Sequence, residues 1–144
     1  MRENRNYILD GHTPVLEEDL IKWFRWFESS VTQRQVGFTT FENREPWISL
    51  AEKELKKMQE FMPNWKTDTE LIRVSTVFLG LDHQYFAGPP ILFETMIFHG
   101  PLNEYQERYE TWDEASKGHD IAVEKVRKAL DERNFTIIQG GKRA

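Results

Sequence analysis

Asp82, His83, Glu94 and His99 are the polar side chains set into or beside the two most apolar, β-branched stretches of the sequence. Carboxylates and imidazoles are the groups that general acid–base chemistry and metal-assisted hydrolysis use. A small hydrolase or metal-assisted enzyme with these four around one pocket is therefore one reading. Spacing weighs against a shared site. Side chains alternate along a strand, so Leu92, Glu94, Met96 and Phe98 take one side, and Ile91, Phe93, Thr95, Ile97 and His99 the other. Glu94 and His99 meet on one ion only if a bulge intervenes. Asp82 and His83 diverge likewise where the first stretch meets its loop. None of the four histidines has a His-Glu-x-x-His arrangement or comparable ligand spacing, so neither a metal nor a cofactor is expected. His119, on a helix face of small residues, reads as a core histidine whose ring donates to a sheet carbonyl.

Glu94 poses the sharper question, because a carboxylate among Leu92, Phe93 and Met96 is costly to bury alone. Three arrangements stay open: its side of the sheet faces solvent; Arg73 or Arg108 on a neighbouring strand pairs with it; or it is a functional acid or a polar anchor for a ligand.

The elements that must position these groups are legible from periodicity. Leu71–Leu81 and Ile91–Phe98 read as adjacent antiparallel strands, joined by a loop that carries Ala87-Gly88-Pro89-Pro90. Tyr105–Tyr109 can supply a third strand, Gln35–Phe41 another, and Phe135–Ile138 an edge strand. Asn6–Leu9 and His12–Val15 flank the turn signal Asp10-Gly11. Glu17, Glu18 and Asp19 open a helix running to Glu28 or Ser29, with Leu20, Trp23, Phe24 and Phe27 as its apolar stripe and Trp26 at the edge of that stripe. Glu45–Pro63 reads as a second helix with a charged outer face. Thr111-Trp-Asp-Glu114 has capping-box spacing and opens a third helix to about Asp131. The expected fold is α+β: one domain over residues 1–144, an antiparallel sheet of about four to five strands with helices packed mainly on one face, and a flexible tail over 139–144.

With 144 residues the chain has enough length for one real core. It has no cysteine, which excludes thiolate catalysis and cysteine-ligated zinc. No run approaches the roughly 18 apolar residues of a membrane span, and the net charge of −5 argues against general nucleic-acid binding. Aromatics form 13% of the chain, and four of them (Trp23, Phe24, Trp26, Phe27) fall within five residues. Trp26 and Phe27 point apart on a helix, so Trp26 needs another chain unless the N-terminal strand or the Trp47 helix covers it, and a homodimer or higher homo-oligomer with this helix or the 45–63 helix at the contact is expected.

The blocks Val74–His83, Pro89–Phe98 and Arg108–His119 resemble a group of small uncharacterised proteins encoded mainly by tailed bacteriophages and prophages. Tyr7–Gly11 and the helix from Trp23 to Glu28 resemble the same group's N-terminus. The 45–63 helix is an insertion relative to that pattern. The resemblance implies expression in the bacterial host cytoplasm and an accessory role, in host takeover or anti-defence. Such a protein acts by binding, with a host protein or a small nucleotide signal as ligand. Asp82, His83, Glu94, His99 and Trp26 are the candidate contact residues.

Overall fold

A computed structural model describes residues 5–44, 69–130 and 135–139, together with positions 57, 60 and 61. Its centre is strand β4, Thr69–Phe78, flanked by β3, Gln35–Arg44, and β5, Phe93–Phe98. With β6, Gln106–Tyr109, and β7, Phe135–Gln139, these form a five-stranded sheet in the order β6-β5-β4-β3-β7, antiparallel throughout. Thus β3 to β6 form a meander that begins at Gln35. Helix α2, Trp112–Ala129, then carries the chain back across the sheet so that β7 can pair with the far edge of β3. A two-stranded hairpin, β1 (Tyr7–Asp10) with β2 (Thr13–Leu16), and helix α1, Leu20–Ser29, precede the sheet. The fold is α+β.

Alternation decides which face is covered. Ile72, Val74, Thr76 and Phe78 of β4 are buried, while Arg73 is exposed. Ile72 and Val74 pack with Phe41, Ile97, Ala122 and Val126 beneath α2. Nearer the hairpin, Phe78, Phe93, Leu92, Val36 and Leu9 pack around Trp112 and Ala115 at the start of that helix. Half of the capping box is formed: Thr111 Oγ1 accepts from the Glu114 backbone N–H at 3.1 Å, while the glutamate meets the threonine hydroxyl and not its backbone N–H. The hydroxyl donates to the Glu114 carboxylate at 2.9 Å.

The first helix departs from expectation. Glu17 to Asp19 do not occupy its first turn. Asp19 is instead the N-cap, accepting from the backbone of Ile21 and Lys22. The inner face is Trp23, Trp26 and Phe27. Trp26 sets its edge on Phe78, with 5.9 Å between ring centroids, and the Trp23 indole N–H reaches the carbonyls of Tyr7 and Gly80. Leu20 and Phe24, expected inside, are 62% and 54% exposed. The reason is where the helix rests: Gly80, in left-handed backbone at φ 77°, has no side chain, and Phe27 and Trp23 lie over it. That contact rotates α1 toward Trp26. The Glu45–Pro63 helix, with Trp47, and the tail after Gln139 lie outside the described residues apart from the three isolated positions.

Candidate functional site

Asp82, His83, Glu94 and His99 go to three places. Asp82 is 2% exposed at the root of the β4–β5 loop. Its Oδ1 accepts from the backbone N–H of Gln84 at 2.7 Å and of Ile91 at 2.9 Å. His83 closes the same root through a backbone N–H to the Ile91 carbonyl at 2.9 Å. Glu94 points to the sheet face away from α2. There it accepts from Arg108 Nε at 2.9 Å and from Gln106 Nε2 at 2.5 Å. Arg108 sits directly opposite Glu94 in the β5–β6 register, so the pairing alternative is the one adopted. With the Arg108 side chain 38% exposed, the ion pair contributes at most about 1 kcal/mol. His99 lies past the far end of β5 in a turn with φ 71°, its N–H held by the Asn103 side chain at 2.6 Å. Among the described residues no group of three or more His, Asp or Glu side chains is arranged to hold a metal ion.

His119 anchors a buried chain of a different kind. Its Nε2 lies 2.9 Å from Thr39 Oγ1 and its Nδ1 2.8 Å from Thr76 Oγ1. Thr76 continues to Thr95 at 2.6 Å, and the Tyr109 hydroxyl donates to Thr95 at 3.1 Å. The ring's partners are hydroxyls rather than the expected sheet carbonyl. Two glycines create the room: a Cβ on Gly37 would stand 2.8 Å from the imidazole, and one on Gly118 would collide with the Tyr109 hydroxyl. Thr39, Thr76, Thr95 and His119 are all under 5% exposed. The chain fixes the register of α2 on the sheet, and its threonines and histidine are closed off from solvent.

The outer surface carries two further features. The 83–90 loop carries Tyr85 and Phe86 at 66% and 82% exposure. Its backbone is braced from within. Besides the two amides on Asp82, the Gln84 side chain accepts from the Phe86 N–H at 3.3 Å and donates to the Pro89 carbonyl at 3.5 Å. Arg5 lies over the Tyr85 ring, 5.3 Å from its centroid. A sequence signal for this tip existed, an aromatic pair next to Gly88-Pro89-Pro90, but alternation along the strands drew attention to the polar residues instead.

A second feature is a cleft of about 410 Å³ between the β1–β2 turn, the end of α1 and the start of α2. Gly11, His12, Ser29, Thr32, Gln33 and Trp112 line it. The His12 ring lies flat on the Trp112 indole, 3.8 Å between centroids and 4° from parallel. No Lys or Arg lines it, and the chain neighbours Asp10, Glu28 and Asp113 are exposed acids, a poor setting for a phosphate. Nothing in the local sequence brings His12 to Trp112; the contact is made by tertiary structure.

The structure is thus an α+β scaffold that carries a braced aromatic loop and a small cleft. No family model matches the chain, and no match is found among curated proteins or solved structures. None of the described helices is long and apolar enough to cross a membrane.

Proposed function

We propose that this is a binding protein of phage type, an accessory host-takeover or anti-defence factor of the bacterial cytoplasm, whose 83–90 loop inserts Tyr85 and Phe86 into an apolar pocket of a host protein. The observation that carries the reading is two exposed aromatics on a loop whose backbone is fixed by Asp82 and Gln84. Ordering a loop opposes folding through lost conformational entropy. A loop already ordered loses less on binding, so the brace favours association, and large aromatics dominate interface energetics. Asp82 and His83 serve this reading as positioning residues, not as contacts.

The test is affinity capture from infected cells with the wild-type chain and with a Tyr85→Ser, Phe86→Ser variant. Both substitutions are at exposed positions, so folding stability should change by less than about 1 kcal/mol. A specific partner retained by the wild type should be lost, with affinity at least about 30-fold weaker if each aromatic contributes about 1–2 kcal/mol. A partner held equally by both would refute the loop as the contact.

The cleft supports a second reading, a small planar ligand stacked on the outer face of His12. Its volume falls in the range of ordinary ligand sites, about 300–1,000 Å³. The acidic surroundings favour an uncharged or cationic ligand over a nucleotide. Calorimetric titration with a nucleoside and with its monophosphate separates these: the nucleoside should bind, and His12→Ala should abolish it.

A further inference from the structure

Helix α1 presents an apolar face that no described residue covers. Leu20, Ile21 and Phe24 are 62%, 65% and 54% exposed. At about 100° per residue they share an arc of roughly 100°, on the flank of α1 next to its inner face. Val15 and Leu16, just before the helix, are each 42% exposed. Contiguous exposed apolar surface of this kind marks an interaction site.

The charges around the patch identify its occupant. Glu17, Glu18 and Asp19 stand at the N-terminal end of the helix, and Lys22 and Arg25 along its middle, both exposed. Two copies of α1 packed antiparallel about a two-fold axis at the level of position 22 bring Leu20 of one opposite Phe24 of the other, and Arg25 of one level with the N-cap Asp19 of the other. Arg25 then lies beside Glu18 and Asp19 of the other copy, while Leu20 and Phe24 cover each other across the axis with Ile21 beside them. The helix dipoles oppose each other favourably. Parallel packing would place acid against acid. The patch is thus self-complementary in both apolar and charged parts, as an isologous contact requires.

We infer that this face is a homodimer contact, centred on Ile21 and Phe24. Trp26, which the sequence placed at such a contact, lies instead against Phe78 of its own chain. The surface shares no residue with the 83–90 loop, so Phe24→Glu tests the dimer without touching the aromatics proposed for that loop.

Sedimentation equilibrium of the full chain across the micromolar range tests it. The expected result is a mass approaching twice the 17.2 kDa of the monomer. Phe24→Glu, at an exposed position, should return the monomer mass with an unchanged circular dichroism spectrum. Arg25→Glu should weaken association at least about 5-fold, roughly 1 kcal/mol for charge reversal at a rim, and Glu18→Arg added to it, at an exposed position, should restore association. A wild-type chain that stays at the monomer mass throughout, or a dimer indifferent to Phe24→Glu, overturns the inference.

Discussion

Asp82→Ala removes the acceptor of two backbone amides at once, Gln84 at 2.7 Å and Ile91 at 2.9 Å. A buried amide left without its acceptor costs about 1–3 kcal/mol. Both bonds are only part-buried, so water restores some of the loss, and the total should be about 2–4 kcal/mol. That is a large share of the roughly 5–15 kcal/mol of a domain. With a urea slope of about 1–3 kcal/mol per molar, the unfolding midpoint should fall by about 1–2 M. Asp82→Asn keeps a carbonyl oxygen in the same place and loses only the charge assistance, so it should cost about 1–2 kcal/mol. Hydrogen exchange locates the effect: the Gln84 and Ile91 amides should lose protection in the alanine variant, while amides in the middle of β4 change only as far as global stability does. Equal costs for alanine and asparagine, or a midpoint unmoved by alanine, would refute the account of Asp82 as a loop brace.

Two further predictions concern the buried chain under α2. Gly37→Ala places a methyl 2.8 Å from an imidazole that is 1% exposed and tied to Thr39 and Thr76; overpacking of this kind should cost about 1–3 kcal/mol, and less in a His119→Ala background, as a double-mutant cycle in urea would show. Burial holds the Tyr109 hydroxyl above the ordinary tyrosine range, the bond to Thr95 pulling the other way and Tyr105 and Glu107 adding to the rise. The folded chain thus keeps this proton more tightly than the unfolded one, so the stability it confers is intact below the unfolded value of about 10 and is lost as pH climbs through the folded value. Tyr105, raised by burial and then by Glu107, acts in the same window; Tyr109→Phe should make the alkaline fall of the urea midpoint shallower without abolishing it.

Periodicity exposed the sheet because its signals are local. Ile72, Val74, Thr76 and Phe78 alternate inward along one strand, and Thr111 with Glu114 forms its cap within a single turn. The same local reasoning named Arg108 among the partners open to Glu94, whereas His99, which it assigned to the other side of β5, lies past the end of that strand in a turn. It failed where a contact depends on a distant residue. The roll of α1 is set by Gly80, more than fifty residues away, which admits Trp23 and Phe27 and leaves Leu20 and Phe24 outside. The stack of His12 on Trp112 spans the chain from first hairpin to last helix.

The division of labour between polar and aromatic residues runs opposite to what residue chemistry first suggests. Asp82, His119 and the threonines around it are inside, and each is bonded to groups that fix backbone or helix position. Glu94 is occupied by Arg108 and Gln106. Such groups are costly to bury unless their bonds are made, and here those bonds serve geometry. The aromatics Phe24, Tyr85 and Phe86, by contrast, stand more than half exposed. Exposure of large apolar surface opposes solubility and gains nothing for the isolated fold. Association would cover this surface, and the contacts proposed at the loop tip and at α1 are the two places where it would do so.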